Sequence, residues 1–209
     1  MRVEIIELLR CPADHEPSPL VTVAHAREGD RLMEGTLGCA MCGGEFALRN
    51  GVVYLAASAP EPLSMAADAA RTAALLGLSE PGARVAMCGA FGAVAEDIEQ
   101  RTGVVCIAVN ASLHVLNASA ADHIVIGTVA RLPVADASLA GIALDTAHVA
   151  LVGDAARVVR AGGRVLAPIQ APVPHGLREL ARDDIEWVAV VETSASAPVG
   201  LRRGVTALP

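Results

Sequence analysis

Three cysteines near the start of the chain, with an aspartate and a histidine beside the first, stand at spacings that suit a metal ion. Cys39-Ala40-Met41-Cys42-Gly43-Gly44 places two thiols two residues apart on a glycine-bearing turn, the form in which a tetrahedral ion takes half its ligands. Cys11-Pro12-Ala13-Asp14-His15 offers a third thiol from a distant segment. Where a second CxxC would end there is Asp14, with His15 one step further. Either side chain is an acceptable fourth ligand, so the candidate set is Cys11, Asp14 or His15, Cys39 and Cys42, with zinc as the expected ion. The competing reading is a fold held by packing alone, its thiols buried as small apolar groups. A second set of candidates is the glycine turn Met87-Cys88-Gly89-Ala90-Phe91-Gly92, with Asn110 and Thr128, each of which closes or follows an apolar run. Glycines there let backbone approach a ligand with no β-carbon in the way. Asp145-Thr146-Ala147-His148 follows a further run. A histidine at that place could take a substrate proton, whereas the commoner use of such residues is to cap the next helix.

These side chains need elements to hold them. Residues 20–25 and 32–37 read as strands around a polar turn at 27–30 and lead to the second cysteine pair. Residues 45–48 and 52–55 form a second hairpin, because Asn50-Gly51 supplies the positive φ angles of a tight turn. The result is a three- or four-stranded ribbon stapled at one end by metal. Small residues and prolines mark a linker at 57–63, which divides the chain into a module at 1–56 and a domain at 64–209. In the domain, apolar runs at 84–88, 104–109, 123–126, 141–144 and 164–169 alternate with helical spacing at 64–78, 93–101, 112–118 and 147–159. Strands apolar on both faces, alternating with helices, predict a parallel sheet between helix layers, a Rossmann-like three-layer α/β domain. The tail predicts a helix at 177–181, a strand at 187–191 and a last strand at 201–206.

Composition narrows the function. A net charge of -7 works against a phosphate backbone, and two Phe, one Tyr and one Trp leave little for base stacking, so nucleic acid is not favoured. No apolar run reaches membrane-spanning length, and Met1-Arg2-Val3-Glu4 does not begin a secretory leader, so a cytoplasmic protein is expected. Five cysteines, three of them in the candidate metal set, do not read as a disulfide framework. A mean hydropathy of +0.48 suits an apolar interface with a protein partner or a second copy. His25 is expected on the ribbon surface, and His114 and His123 as ordinary surface or core histidines. No serine-nucleophile elbow, phosphate-binding Walker loop or HExxH helix is present.

Leu8-Leu9-Arg10-Cys11-Pro12, Cys39-Ala40-Met41-Cys42, Glu45-Phe46 and Asn50-Gly51-Val52-Val53-Tyr54-Leu55 resemble the zinc-ribbon family of methyltransferase-activating small subunits, which partner tRNA and release-factor methyltransferases. The departure is Asp14, where that family commonly has its second cysteine. The segments 131–139 with 142–144, and 155–166 with its Gly162-Gly163 turn, resemble the loop, helix and strands of class I S-adenosylmethionine-dependent methyltransferases. The resemblance implies that Gly89 and Gly92 approach the methionine part of that cofactor, Asn110 the ribose and Thr128 the adenine. It also implies acids at the second and third of these sites and another ahead of Gly89, and the chain has none of them. A neutral group in place of a charged hydrogen-bond acceptor forfeits on the order of 1–2 kcal/mol. The expectation is therefore a degenerate member: a fused ribbon and methyltransferase-like domain acting as a binding or regulatory scaffold. The alternatives are an active S-adenosylmethionine-dependent methyltransferase with an unusual pocket, and an interaction module that activates a separate methyltransferase.

Overall fold

The computed structural model describes residues 1–58, 67–118, 121–129 and 131–192. Four antiparallel strands come first: β1 (Leu20–Glu28), β2 (Arg31–Cys39), β3 (Glu45–Arg49) and β4 (Val52–Tyr54), preceded by one turn of helix, α1 (Val3–Ile6). Then β5 (Arg84–Cys88), β6 (Val105–Val109), β7 (Asp122–Val125), β8 (Leu139–Ala143) and β9 (Val159–Pro168) lie parallel. Two antiparallel strands, β10 (Leu177–Arg182) and β11 (Glu186–Val191), complete the far side. The order across the sheet is β1-β2-β3-β4-β7-β6-β5-β8-β9-β11-β10. The chain winds outward from β5 through β6 to β7, then restarts on the other side of β5 at β8. The carboxyl ends of β5 and β8 therefore flank a topological switch point, where open α/β sheets bind their ligands.

Alternation along each strand builds two cores. Val85 and Met87 of β5 and Cys106 and Ala108 of β6 face α2 (Ala69–Leu76) and α3 (Ala95–Thr102), meeting Leu76, Ala95 and Ile98. Ala86, Cys88, Ile107 and Val109 face the other way, toward Leu151 and α5 (Val152–Val158). This second core runs without a break into Leu37, Leu48 and Val53 of the small module. α2 is fixed at its ends by Asp68, which accepts from the Arg71 N–H at 2.6 Å, and by Gly77 at φ 65°. No helix among the described residues is long and apolar enough to cross a membrane.

The module and the domain share one sheet, because β4 pairs parallel with β7 through Val52↔His123, Val53↔Ile124 and Tyr54↔Val125. At the amino end of β7, Asp122 is fully buried and takes the Arg2 N–H at 2.9 Å, Arg2 Nε at 2.5 Å and an Arg31 amino group at 3.0 Å. Arg2 also reaches Glu99 of α3 at 2.6 Å, whose carboxylate accepts the Cys106 N–H at 2.7 Å. Both arginines come from the small module, so the buried acid ties it to the sheet.

Two sequence expectations change. The helix predicted at 177–181 is strand β10: a six-residue segment of helix-forming residues follows the pairing offered by β11, since tertiary context overrides propensity. The helix predicted at 147–159 begins as a 3-10 turn, Thr146–Leu151, and continues as α5, whereas the one predicted at 93–101 is α3, entered from a 3-10 turn at Gly89–Val94. Each 3-10 turn carries a buried contact across the crevice, Ala90 N–H to Asp145 in one and His148 to Asn110 in the other. Between them a six-residue helix, α4 (Leu113–Ala118), follows β6. Most of the predicted linker, the start of the 64–78 helix and the strand predicted at 201–206 lie outside the described residues.

Candidate functional site

Two chemical centres emerge. The first brings Cys11, His15, Cys39 and Cys42 together, with their four donor atoms all within 4.8 Å of one another. The second pair sits on a tight turn, where Gly43 at φ 69° returns its N–H to the Cys39 carbonyl at 2.9 Å. Cys11 is delivered by a short segment between two others: its N–H bonds Ser18 O, while the Arg10 N–H bonds Pro133 O, each at 2.9 Å. His15 Nδ1 meets the Glu16 carbonyl at 2.6 Å, a contact that makes Nδ1 the protonated nitrogen and leaves the Nε2 lone pair facing Cys39 Sγ at 3.4 Å. Cys11 and Cys42 sulfurs are 3.7 Å apart. A tetrahedral ion about 2.3 Å from sulfur and about 2.0 Å from nitrogen sets ligand edges of about 3.8 Å for S···S and about 3.5 Å for S···N. The donor set and both measured edges fit zinc. Asp14 is exposed and stands outside the cluster. Burial pushes the Cys11 thiol up to about 11, and the Cys42 backbone N–H pulls Cys39 down to about 6. The Glu16 carbonyl raises His15 above its ordinary value.

The second centre lies at the switch point. Gly89 has φ 60°, and a β-carbon there would stand 2.1 Å from Asp145 Oδ2. That oxygen accepts the Ala90 N–H at 2.9 Å, so the space above the glycine turn holds a carboxylate of the protein itself. Asp145 Oδ1 meets His148 Nδ1 at 2.5 Å, and His148 Nε2 meets Asn110 Nδ2 at 3.0 Å. Asn110 Oδ1 accepts the Ile126 and Gly127 N–H groups at 2.8 and 3.2 Å, and Nδ2 donates to Gly127 O at 2.9 Å. All three side chains are buried, at 0, 3 and 3% exposure for Asn110, Asp145 and His148. The chain of contacts joins the carboxyl ends of β5, β6, β7 and β8. Gly92 serves packing too, since a β-carbon would lie 2.8 Å from that of Ala111. Thr128 is exposed. A cavity of about 200 Å³ remains beside Phe91, Leu144, Asp145, Thr146, Pro168 and Ile185. Ordinary small-molecule sites run from about 300 Å³ upward.

No family model matches the sequence, and no curated protein matches it. Among solved structures, the chain is similar to a Galdieria sulphuraria protein assigned as a sarcosine dimethylglycine methyltransferase, at 19% identity and TM-score 0.38 over 47% of this chain and 44% of that one. It is similar to a chain of the Haloferax volcanii complex containing the Trm112 methyltransferase activator, at 11% identity and TM-score 0.43, over 60% of this chain and 90% of that one. A third is a geranyl diphosphate methyltransferase in complex with S-adenosylmethionine, at 17% identity and TM-score 0.38 over 47% and 46%. The chain thus spans less than half the length of the first and third. The parallel strands wound to both sides of β5, with helices between them, make the fold Rossmann-like.

Sequence reasoning reached Asp145 and His148 but expected a helix cap or a base for a substrate proton. Instead, Asp145 makes no cap to its own turn and crosses to β5, with His148 behind it. The missed partner is Asn110, whose positive φ of 52° turns its amide under the end of β7. Also missed is the Asp122 anchor, although one acid inside the apolar run Ala121-Asp122-His123-Ile124-Val125 was a usable signal. His25 and His114 are exposed and His123 is buried.

Proposed function

We propose that the chain is a scaffold of methyltransferase fold, its cofactor crevice filled by its own side chains and its small module acting as an internal brace. The observation that carries this reading is the Asp145 carboxylate, seated on the Ala90 N–H where a ligand would have to approach the Gly89 turn. Asn110, the candidate ribose acceptor, spends Oδ1 on Ile126 and Gly127 and Nδ2 on Gly127 and His148. A ligand therefore has to replace formed hydrogen bonds, and breaking each in a buried site costs about 1–3 kcal/mol. Zinc held by Cys11, His15, Cys39 and Cys42 would supply cross-linking rather than catalysis, with all four positions taken by protein. It would fix the knuckle segment that pairs with Pro133 and Ser18. A scaffold works through a protein partner, and Val21, Val23 and Met41 place exposed apolar surface on the small module.

The test is calorimetry with S-adenosylmethionine and S-adenosylhomocysteine at pH 7.5. The expected result is no binding up to millimolar ligand; micromolar binding of either refutes the scaffold reading. The cavity of about 200 Å³ adjoining the turn favours a second reading, an S-adenosylmethionine-dependent methyltransferase that binds after Asp145 has moved away. Gly89 and Gly92 would then face the methionine part, Asn110 the ribose and Thr128 the adenine.

A further inference from the structure

We infer that Asp145, His148 and Asn110 form an acid-released latch on the switch-point crevice. The inference rests on the reading that these side chains close it. Its basis is the direction of each hydrogen bond. Asn110 Oδ1 accepts from two backbone N–H groups, Ile126 and Gly127, and its other amide atom faces the Gly127 carbonyl, so that atom is the NH2. The amide orientation is thereby fixed. At 3.0 Å from this NH2, His148 Nε2 has to be the acceptor, which places the imidazole proton on Nδ1, donated to Asp145 Oδ1. The chain closes on the Ala90 N–H, which donates to Asp145 Oδ2.

Only neutral imidazole satisfies this sequence. A proton added at Nε2 sets an N–H donor against the Asn110 NH2, two buried donors at hydrogen-bond distance, with no acceptor left on Asn110 to turn toward it. Among the described residues the titratable surroundings are few. Asp145 is on the same turn, and the Cys88 thiol of β5 is held well above its ordinary value by burial and by Asp145. The neighbouring stretch of β9, Val165-Leu166-Ala167-Pro168, carries no titratable side chain, and on α5 Asp154 and Arg157 bond each other. The β6 and β7 ends contribute Asn110 and backbone. Protonated His148 keeps Asp145 and loses Asn110, so acid parts the β8 side of the crevice from β6 and β7.

The amides of Ala90, Ile126 and Gly127 report the latch directly. Hydrogen exchange followed by NMR on the whole protein, expressed as protection factors to remove the intrinsic pH dependence, is compared from pH 8 to pH 5. The Leu37 and Phe46 amides of the small module serve as controls. Protection of Ile126 and Gly127 is expected to fall at least tenfold on acidification while the controls hold, and imidazole nitrogen shifts should show His148 as the Nδ1–H tautomer at pH 8. The latch is overturned if Ile126 and Gly127 keep their protection to pH 5 in the folded protein, if they lose it only together with the controls, or if His148 carries its proton on Nε2 at pH 8. Ligand calorimetry at pH 7.5 bears on the scaffold reading and leaves these outcomes untouched.

Discussion

Replacing Gly89 by alanine separates a glycine kept for a ligand from a glycine kept for Asp145. The added β-carbon would lie 2.1 Å from Asp145 Oδ2 and 2.5 Å from Cγ, inside any tolerable contact, on a backbone at φ 60°. The left-handed conformation costs an L-residue about 1–2 kcal/mol. Overpacking in a filled site adds about 1–3 kcal/mol, for a total of about 2–5 kcal/mol. Asp145→Ala removes the obstacle and leaves the Ala90 N–H and His148 Nδ1–H without an acceptor, at about 1–3 kcal/mol each. In the double variant the clash disappears and the φ strain stays, so the two changes together should cost about 1–3 kcal/mol less than their sum. Urea unfolding of the four proteins of the cycle, each followed by two probes, measures this coupling. Were the space above Gly89 open for a ligand, Gly89→Ala would cost only the conformational part and the changes would add. Additivity within about 0.5 kcal/mol therefore refutes the account of a crevice closed from within.

Other expectations concern the brace and the cluster. Asp122→Asn keeps the shape of the fully buried acid but leaves Arg2 and Arg31 facing a neutral group, and should lower stability in urea by about 3–5 kcal/mol; a change under 1 kcal/mol would show that the anchor is idle. Cys39→Ser should abolish metal content by elemental analysis and lower the melting temperature, whereas Asp14→Ala should leave both as they are. Zinc uptake should release protons and strengthen with rising pH. Between about 6 and about 11 Cys39 is already a thiolate while Cys11 has a proton to lose, and below about 6 both must lose one. A pH series of competition titrations should accordingly steepen toward acid, by one proton from Cys39 and by another from His15, which is raised above its ordinary value and binds only as neutral imidazole, and an affinity independent of pH would dismiss the thiolate ligands.

What could be seen in the sequence was whatever local pattern decides. The hairpins around Asn50-Gly51 and the runs that became β5, β6 and β8 follow from turn chemistry and from apolarity on both faces. The cysteine spacings carried the cluster as far as a choice between Asp14 and His15, which depends on where the turn aims two adjacent side chains. Leu177-Arg178-Glu179-Leu180-Ala181-Arg182 misled because its residues prefer helix and only the partner strand β11 says otherwise. The latch was illegible for a different reason. Asn110, Asp145 and His148 are brought together by the winding of the sheet, and no spacing along the chain encodes a contact between the ends of β6 and β8. Likewise the pairing of β4 with β7 joins residues 71 positions apart, Val52 with His123, and nothing near either strand announces it.

That pairing has a thermodynamic consequence. β4 has neighbours on both sides, β3 and β7, so peeling away the first lobe would expose a ladder of backbone donors and acceptors, the charges of Asp122, Arg2 and Arg31, and a stretch of continuous oily interior. Among the described residues the sheet offers no fracture plane along which half of it could come apart while the rest stood. Heat should therefore take the whole sheet through a single transition, with calorimetric and van 't Hoff enthalpies in agreement.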